Sequence, residues 1–133
     1  LGLLRAQRVD FTGFFRAAAA TLRGDARRDA RGLFADLAAW DAWDAWSARW
    51  HERLGAAATP ATAAAMDRVN PLYIPRNHLV EEALTAATAG DLGPFDRLVD
   101  VLSQPFDERP DLERYAVGAD ADFAAGYQTF CGT

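Results

Sequence analysis

Few residues of this 133-residue chain are of types that carry out chemistry, and their spacing limits what they could do. The histidines are His51 and His78, the serines Ser47 and Ser103, and the one cysteine is Cys131. A zinc-protease helix would need a second histidine shortly after His51-Glu52, and there is none. A metal centre needs several His, Cys or carboxylate groups that converge, so each histidine reads as a surface or half-buried polar residue. Neither serine sits in a strained glycine turn, and nothing in the sequence activates Ser47 or Ser103 as a nucleophile. Phosphate cradles place clustered glycines ahead of a helix, whereas the glycines here are scattered. Kinase-like chemistry needs a glycine-rich loop, a strand lysine and metal-binding Asp and Asn. All 14 basic residues of this chain are arginine.

Two features with chemical potential remain. Trp43, Trp46 and Trp50, with Trp40 one turn earlier, recur at helical spacing. Such a stripe could form a partner-binding face, since aromatic rings dominate interface energetics. The reading adopted is core packing, because a small helical domain needs bulky residues and each ring buries about 150–250 Å². Cys131 has no partner within the chain, so no disulfide framework of a secreted protein is implied and a reducing cytoplasm is the default compartment.

Composition narrows the class further. Half of the residues are apolar and a quarter charged, as in a soluble globular domain. A net charge of −5 argues against a nucleic-acid footprint. The basic cluster Arg23, Arg27, Arg28 and Arg31 has Asp25 and Asp29 interleaved, which reads as a solvated, salt-bridged helix start. No apolar run approaches the roughly 20 residues of a membrane span, and no signal-peptide pattern is visible. Arginine without lysine, together with many alanines, fits a GC-rich bacterial genome. Leu1 in place of Met reads as a fragment or trimmed product, and Leu1-Gly-Leu-Leu as the end of something removed.

The elements that must hold these residues are helical. Phe11, Phe14, Phe15, Ala18 and Leu22 mark a first amphipathic helix, with Asp10 or Thr12 as cap and Gly24 as stop. Between Asp29 and Leu54 the apolar residues fall on two faces, which predicts two helices broken near Ala39 to Asp41, with Asp41 capping the second. Thr59-Pro60 opens a short, shallowly packed helix ending near Arg68. Pro71 and Pro75 stiffen an extended entry to a helix from Arg76 to about Ala89, buried through Leu79, Val80, Ala83, Leu84 and Ala87 and stopped by Gly90. Gly93-Pro94 opens a helix with the stripe Phe95, Leu98, Val99 and Leu102, and one more turn follows between Pro110 and Tyr115. No segment alternates like a strand. The fold class is all-α: a small bundle of five or six short helices over residues 1–116, with a loose, flexible tail over 117–133.

The run Asn70-Pro-Leu-Tyr-Ile-Pro-Arg-Asn-His-Leu-Val80, followed in order by Gly90-Asp91, Leu98-Val-Asp-Val-Leu102, Pro105-Phe-Asp-Glu-Arg-Pro110 and Tyr115-Ala116, resembles the C-terminal portion of the selenoprotein O family. Leu1-Gly-Leu3 and Phe14-Phe15-Arg16 extend the resemblance toward the start. That family consists of kinase-fold proteins, once called pseudokinases, that transfer AMP from ATP to protein hydroxyls. The resemblance implies a parent that uses ATP and Mg²⁺ and acts on protein substrates; composition, charge and cysteine usage already indicate a bacterial, cytoplasmic protein with no nucleic-acid or membrane partner. Its nucleotide- and metal-binding residues would lie upstream, so this chain carries no catalytic, cofactor-binding or metal-binding residue of its own. Cys131-Gly-Thr133 is similar to the family's redox-active ending, which implies a switchable cross-link from Cys131 to the missing domain. Tyr73, Arg76 and Asn77 would either satisfy amides at a helix start or dock against the kinase-like domain. The rival reading is a free-standing interaction module that binds a protein through its Trp-rich face. Apolar surface meant for the missing domain could also drive the isolated chain to dimerise.

Overall fold

The computed structural model describes residues 2–128 and contains, among them, helices and turns but no strand. Among the described residues eight α-helices follow one another: α1 Gly2–Ala6, α2 Phe11–Arg23, α3 Leu37–Leu54, α4 Pro60–Val69, α5 Asn77–Thr88, α6 Gly93–Ser103, α7 Glu113–Ala116 and α8 Ala121–Gly126. Two 3-10 turns, Ala30–Leu33 and Gly55–Ala57, flank α3. The all-α class is thus as the sequence indicates, with five helices of ten residues or more. The chain divides into two compact units, Leu1–Leu72 and Tyr73–Thr133, and the expected 1–116 domain spans parts of both.

In the first unit local chemistry sets the helix ends. The Asp10 carboxylate accepts the Gly13 N–H at 2.7 Å and starts α2. Gly24 ends it at φ +74°, its N–H bonded to the Thr21 carbonyl while that of Asp25 reaches Ala20. Thr59 accepts the Thr62 N–H at 3.2 Å and Pro60 occupies the first turn of α4. At the other end of α4, Arg16 donates to the carbonyls of Asp67 and Asn70, at 3.0 and 3.3 Å.

The region before α3 differs from the sequence reading. No break occurs at Ala39 to Asp41, and Asp41 is not a cap. One helix runs from Leu37 to Leu54, started by Asp36, whose carboxylate accepts the Ala39 N–H at 2.7 Å. Asp29 opens the preceding 3-10 turn by accepting the Arg31 N–H at 2.7 Å. The early start is held by Phe34, which is buried and stacks on Trp43 at 5.8 Å, while Trp40 donates its indole N–H to the Phe34 carbonyl at 2.8 Å. Two apolar faces on one helix need no break, because Leu37 is left 71% exposed.

Two clusters make up this unit's core. Leu4, Phe14, Ala30, Phe34, Ala39 and Trp43 form one. Ala19, Leu22 and Ala63 form the other, with Trp50, Leu54 and Met66 packed against them. Leu4 sits in α1, so the opening residues, read from sequence as a remnant, contribute a helix and a core side chain.

In the second unit α5 and α6 meet through Leu79, Ala83 and Leu98, with Val80, Leu102 and Tyr115 around them. The inward row of α6 is Leu98 with Val101, whereas Phe95 and Val99 of the expected stripe face outward, as does Leu84 of α5. Helix α6 carries two apolar rows, and periodicity alone does not say which one meets α5. Within the expected loose tail, Asp120 accepts the Phe123 N–H at 2.8 Å and starts α8. The Phe123 ring lies edge-on to His78 at 5.8 Å and stacks on Tyr127 at 5.0 Å.

Candidate functional site

Tyr73 and Arg76, singled out from sequence, both turn inward. Tyr73 is 2% exposed; its N–H donates to the Pro105 carbonyl and its phenol oxygen accepts the Arg109 N–H, both at 3.1 Å. Arg109 then spreads its guanidinium over the end of α6, donating to the carbonyls of Asp100 and Val101 at 3.1 Å and to the Asp100 carboxylate at 3.2 Å. Arg76, 7% exposed, donates to the Ala116 carbonyl at 2.7 Å. Together they fasten the Pro105 to Pro110 turn and α7 to the start of α5. The expected service to helix-start amides is not what Arg76 performs: it precedes α5 in extended conformation and its side chain makes no capping bond. Asn77, the first residue of α5, is exposed. Arg109 was not singled out from sequence, although an arginine beside a proline-bracketed turn is placed to close nearby carbonyls.

The tryptophan stripe is split between roles. Trp43 is 3% exposed and belongs to the core, while Trp46 is 38% exposed. Trp43, Trp46 and Trp50 stack in a row at 5.2 and 5.4 Å between ring centres. Trp46 opens onto a groove of about 360 Å³ lined by Leu3, Phe14, Phe15, Trp43 and Arg49. Core packing therefore accounts for Trp43 and only partly for its neighbours.

Ser47, His51 and Ser103 are engaged locally, while Nδ1 of His78 is buried without a hydrogen-bond partner among the described residues. Nδ1 of His51 lies 2.9 Å from the Ser47 carbonyl and 3.4 Å from the Ser47 hydroxyl, one helical turn back. A ring nitrogen facing a carbonyl carries the proton, so Nδ1 is a donor there and takes no proton from the serine. Ser103 donates to the Asp100 carbonyl. Cys131 lies outside the described residues.

Electrostatics are those of surface pairs. Arg114 bonds both carboxylate oxygens of Glu82, at 3.2 and 2.5 Å, holding that carboxyl below its ordinary range and raising the guanidinium. The Ala39 amide, then Gln7, lowers the Asp36 carboxyl. Partial burial, then the neighbouring Glu81, raises the Tyr127 phenol. Arg31 pairs with Asp44 at 3.3 Å and Arg23 with Asp67, so these two arginines of the basic cluster are salt-bridged to other elements, and the segment runs from the end of α2 through a turn to a 3-10 turn instead of starting an α-helix.

Among the described residues no three His, Cys, Asp or Glu groups converge as a protein-built metal site would require.

A family model described as "Protein adenylyltransferase SelO" matches residues 1–103. The chain belongs to the SelO family. Individual relatives of this SelO chain are named protein nucleotidyltransferase YdiU. That of Mycobacterium sp. (strain KMS) is 57% identical over 133 residues, covering all of this chain. That of Pseudarthrobacter chlorophenolicus is 53% identical over 132 residues, 99% of this chain, and that of Cereibacter sphaeroides (strain ATCC 17025) 48% identical over 133. The SelO chain described here spans about a quarter of the length of these relatives, 25% to 26%. The family resemblance read from Asn70 to Ala116 is thereby borne out. Among its described residues no helix is long and apolar enough to cross a membrane.

Proposed function

We infer that the chain is the non-catalytic, helical C-terminal region of a SelO-type protein adenylyltransferase. In the intact parent it supports the kinase-like domain, which binds ATP and Mg²⁺ and transfers AMP to Ser, Thr or Tyr hydroxyls of target proteins in the bacterial cytoplasm. The observation that carries this is the match of the whole chain to one quarter of its relatives. The inward employment of Tyr73, Arg76 and Arg109 supports it, because these side chains brace helices and leave nothing aimed at a substrate. Of the three docking candidates only Asn77 is exposed, so a contact with the kinase-like domain would fall there.

The test compares the intact parent with this chain, each given ATP, Mg²⁺ and an acceptor protein. Mass analysis should find AMP on the acceptor with the parent and none with the chain alone. AMP transfer by the chain alone would remove the reading.

Cys131 remains the redox candidate: its thiol and one in the rest of the parent would each lose a proton and an electron to an oxidant such as glutathione disulfide, forming a cross-link. Non-reducing mass analysis of the oxidised parent should show it, and an unlinked Cys131 discards it. The half-exposed Trp46 keeps a second reading open, in which this face binds a separate protein.

A further inference from the structure

Two concavities of the Leu1–Leu72 unit share Leu4. One, about 360 Å³, is lined by Phe14, Phe15, Trp43 and Trp46, with Arg49 at its rim. The other, about 590 Å³, continues past Val9 to Phe11, with Arg5 and Arg8 beside it. The rings connect edge to face, Phe11 to Phe15 at 5.0 Å, Phe15 to Phe14 at 5.4 Å and Phe14 to Trp46 at 6.1 Å. Phe11 at one end is 58% exposed and Trp46 at the other 38%, so the strip is open at both ends.

The rim is basic. Arg5, Arg8 and Arg49 are exposed, and none makes an ion pair with a described residue, whereas Arg16, Arg23 and Arg31 of the same unit are all paired. The whole unit is electropositive, with ten arginines against eight carboxylates, in contrast to four against eleven in Tyr73–Thr133. An apolar strip of this kind is covered at a gain, but covering it with neutral or basic surface would strip water from three cations and return nothing.

We propose that this aromatic groove is the seat of an acidic amphipathic helix from the part of the parent protein outside this chain. Its apolar side chains at i, i+3 or i+4, and i+7 would lie on Phe11, Phe15 and Trp46, and its flanking carboxylates would meet Arg5, Arg8 and Arg49. About three quarters of the length of the relatives lies outside the matched region, which supplies the occupant within the same polypeptide. The inference rests on the reading of the chain as a supporting region and adds the place and chemistry of the contact.

Hydrogen–deuterium exchange of the intact parent and of the 133-residue chain tests it. Amides of α1 and of the segments around Phe15 and Trp46 should exchange at least tenfold more slowly in the parent. Arg49→Glu in the parent should return them toward the rate of the chain alone, while Arg49→Lys and the remote Arg68→Glu should not. If those amides exchange alike in both proteins while the outward row Leu92, Phe95 and Val99 of the α6 region is protected in the parent, the groove proposal is overturned and the supporting role stands. If no segment differs, both fall. Protection that appears in the chain alone and grows with its concentration would make a second copy the occupant, which also overturns the proposal.

Discussion

The phenol oxygen of Tyr73 accepts the backbone N–H of Arg109 at 3.1 Å, across 36 residues of sequence. That one bond joins the entry of α5 to the turn after α6, and it leaves the Arg109 side chain free to cover the α6 carbonyls. Tyr73→Phe keeps the ring and orphans the half-buried amide. It should cost about 1 kcal/mol in chemical denaturation, and Tyr73→Ala about 3 kcal/mol or more. Equal stability of Tyr73→Phe and the natural chain would show the bond to be dispensable.

The tryptophans should separate by burial. Trp43, packed between Phe14 and Phe34, should cost about 3–5 kcal/mol when changed to alanine. Trp46→Ala loses stacked neighbours and less buried surface than Trp43, its ring being 38% exposed, and should cost about 1–2 kcal/mol. Thermal unfolding measures both, and an equal loss at the two positions would contradict the split between core and groove.

How much could be read from the sequence follows from which signals are local. Asp10, Gly24, Thr59-Pro60 and Gly93-Pro94 act within a turn of themselves, and the helix ends lie where they indicate. The sequence indicates a start at Asp41 and the structure has it at Asp36, since either aspartate can cap a helix. The choice is made by Phe34 stacking on Trp43 and bonding Trp40, contacts that exist only in the folded chain. The outward turn of Phe95 and Val99, and Arg109 as the partner of Tyr73, depend likewise on which elements meet. Family membership was legible because Asn70 to Ala116 keeps several short motifs in order, while the Trp46 groove needs α1, α2 and α3 assembled.

Glycine 24 offers a check on backbone strain. At φ +74° any side chain is disfavoured, so Gly24→Ala should lower stability by about 1 kcal/mol although open space surrounds the position. Gly32→Ala, equally uncrowded and without positive φ, should change it by less than about 0.5 kcal/mol. Calorimetric midpoints that move alike would contradict the assignment.

Acid should loosen the contact between α5 and α7. The Glu82 carboxyl is depressed in the folded chain, so its contribution is present above the ordinary glutamate range and is lost as pH falls through the lower folded value. Because both partners are well exposed, the effect is small. Glu82→Gln should lie slightly below the natural chain at neutral pH and converge with it in acid. A constant gap from pH 7 to pH 2 in urea titrations would mean that Arg114 does not perturb Glu82.

The central claim is that these helices hold no nucleotide site and act as support for a catalytic portion elsewhere in the parent. Isothermal calorimetry of the 133-residue chain with ATP and Mg²⁺ tests it directly. The account predicts no saturable heat up to millimolar nucleotide, and a micromolar dissociation constant would contradict it.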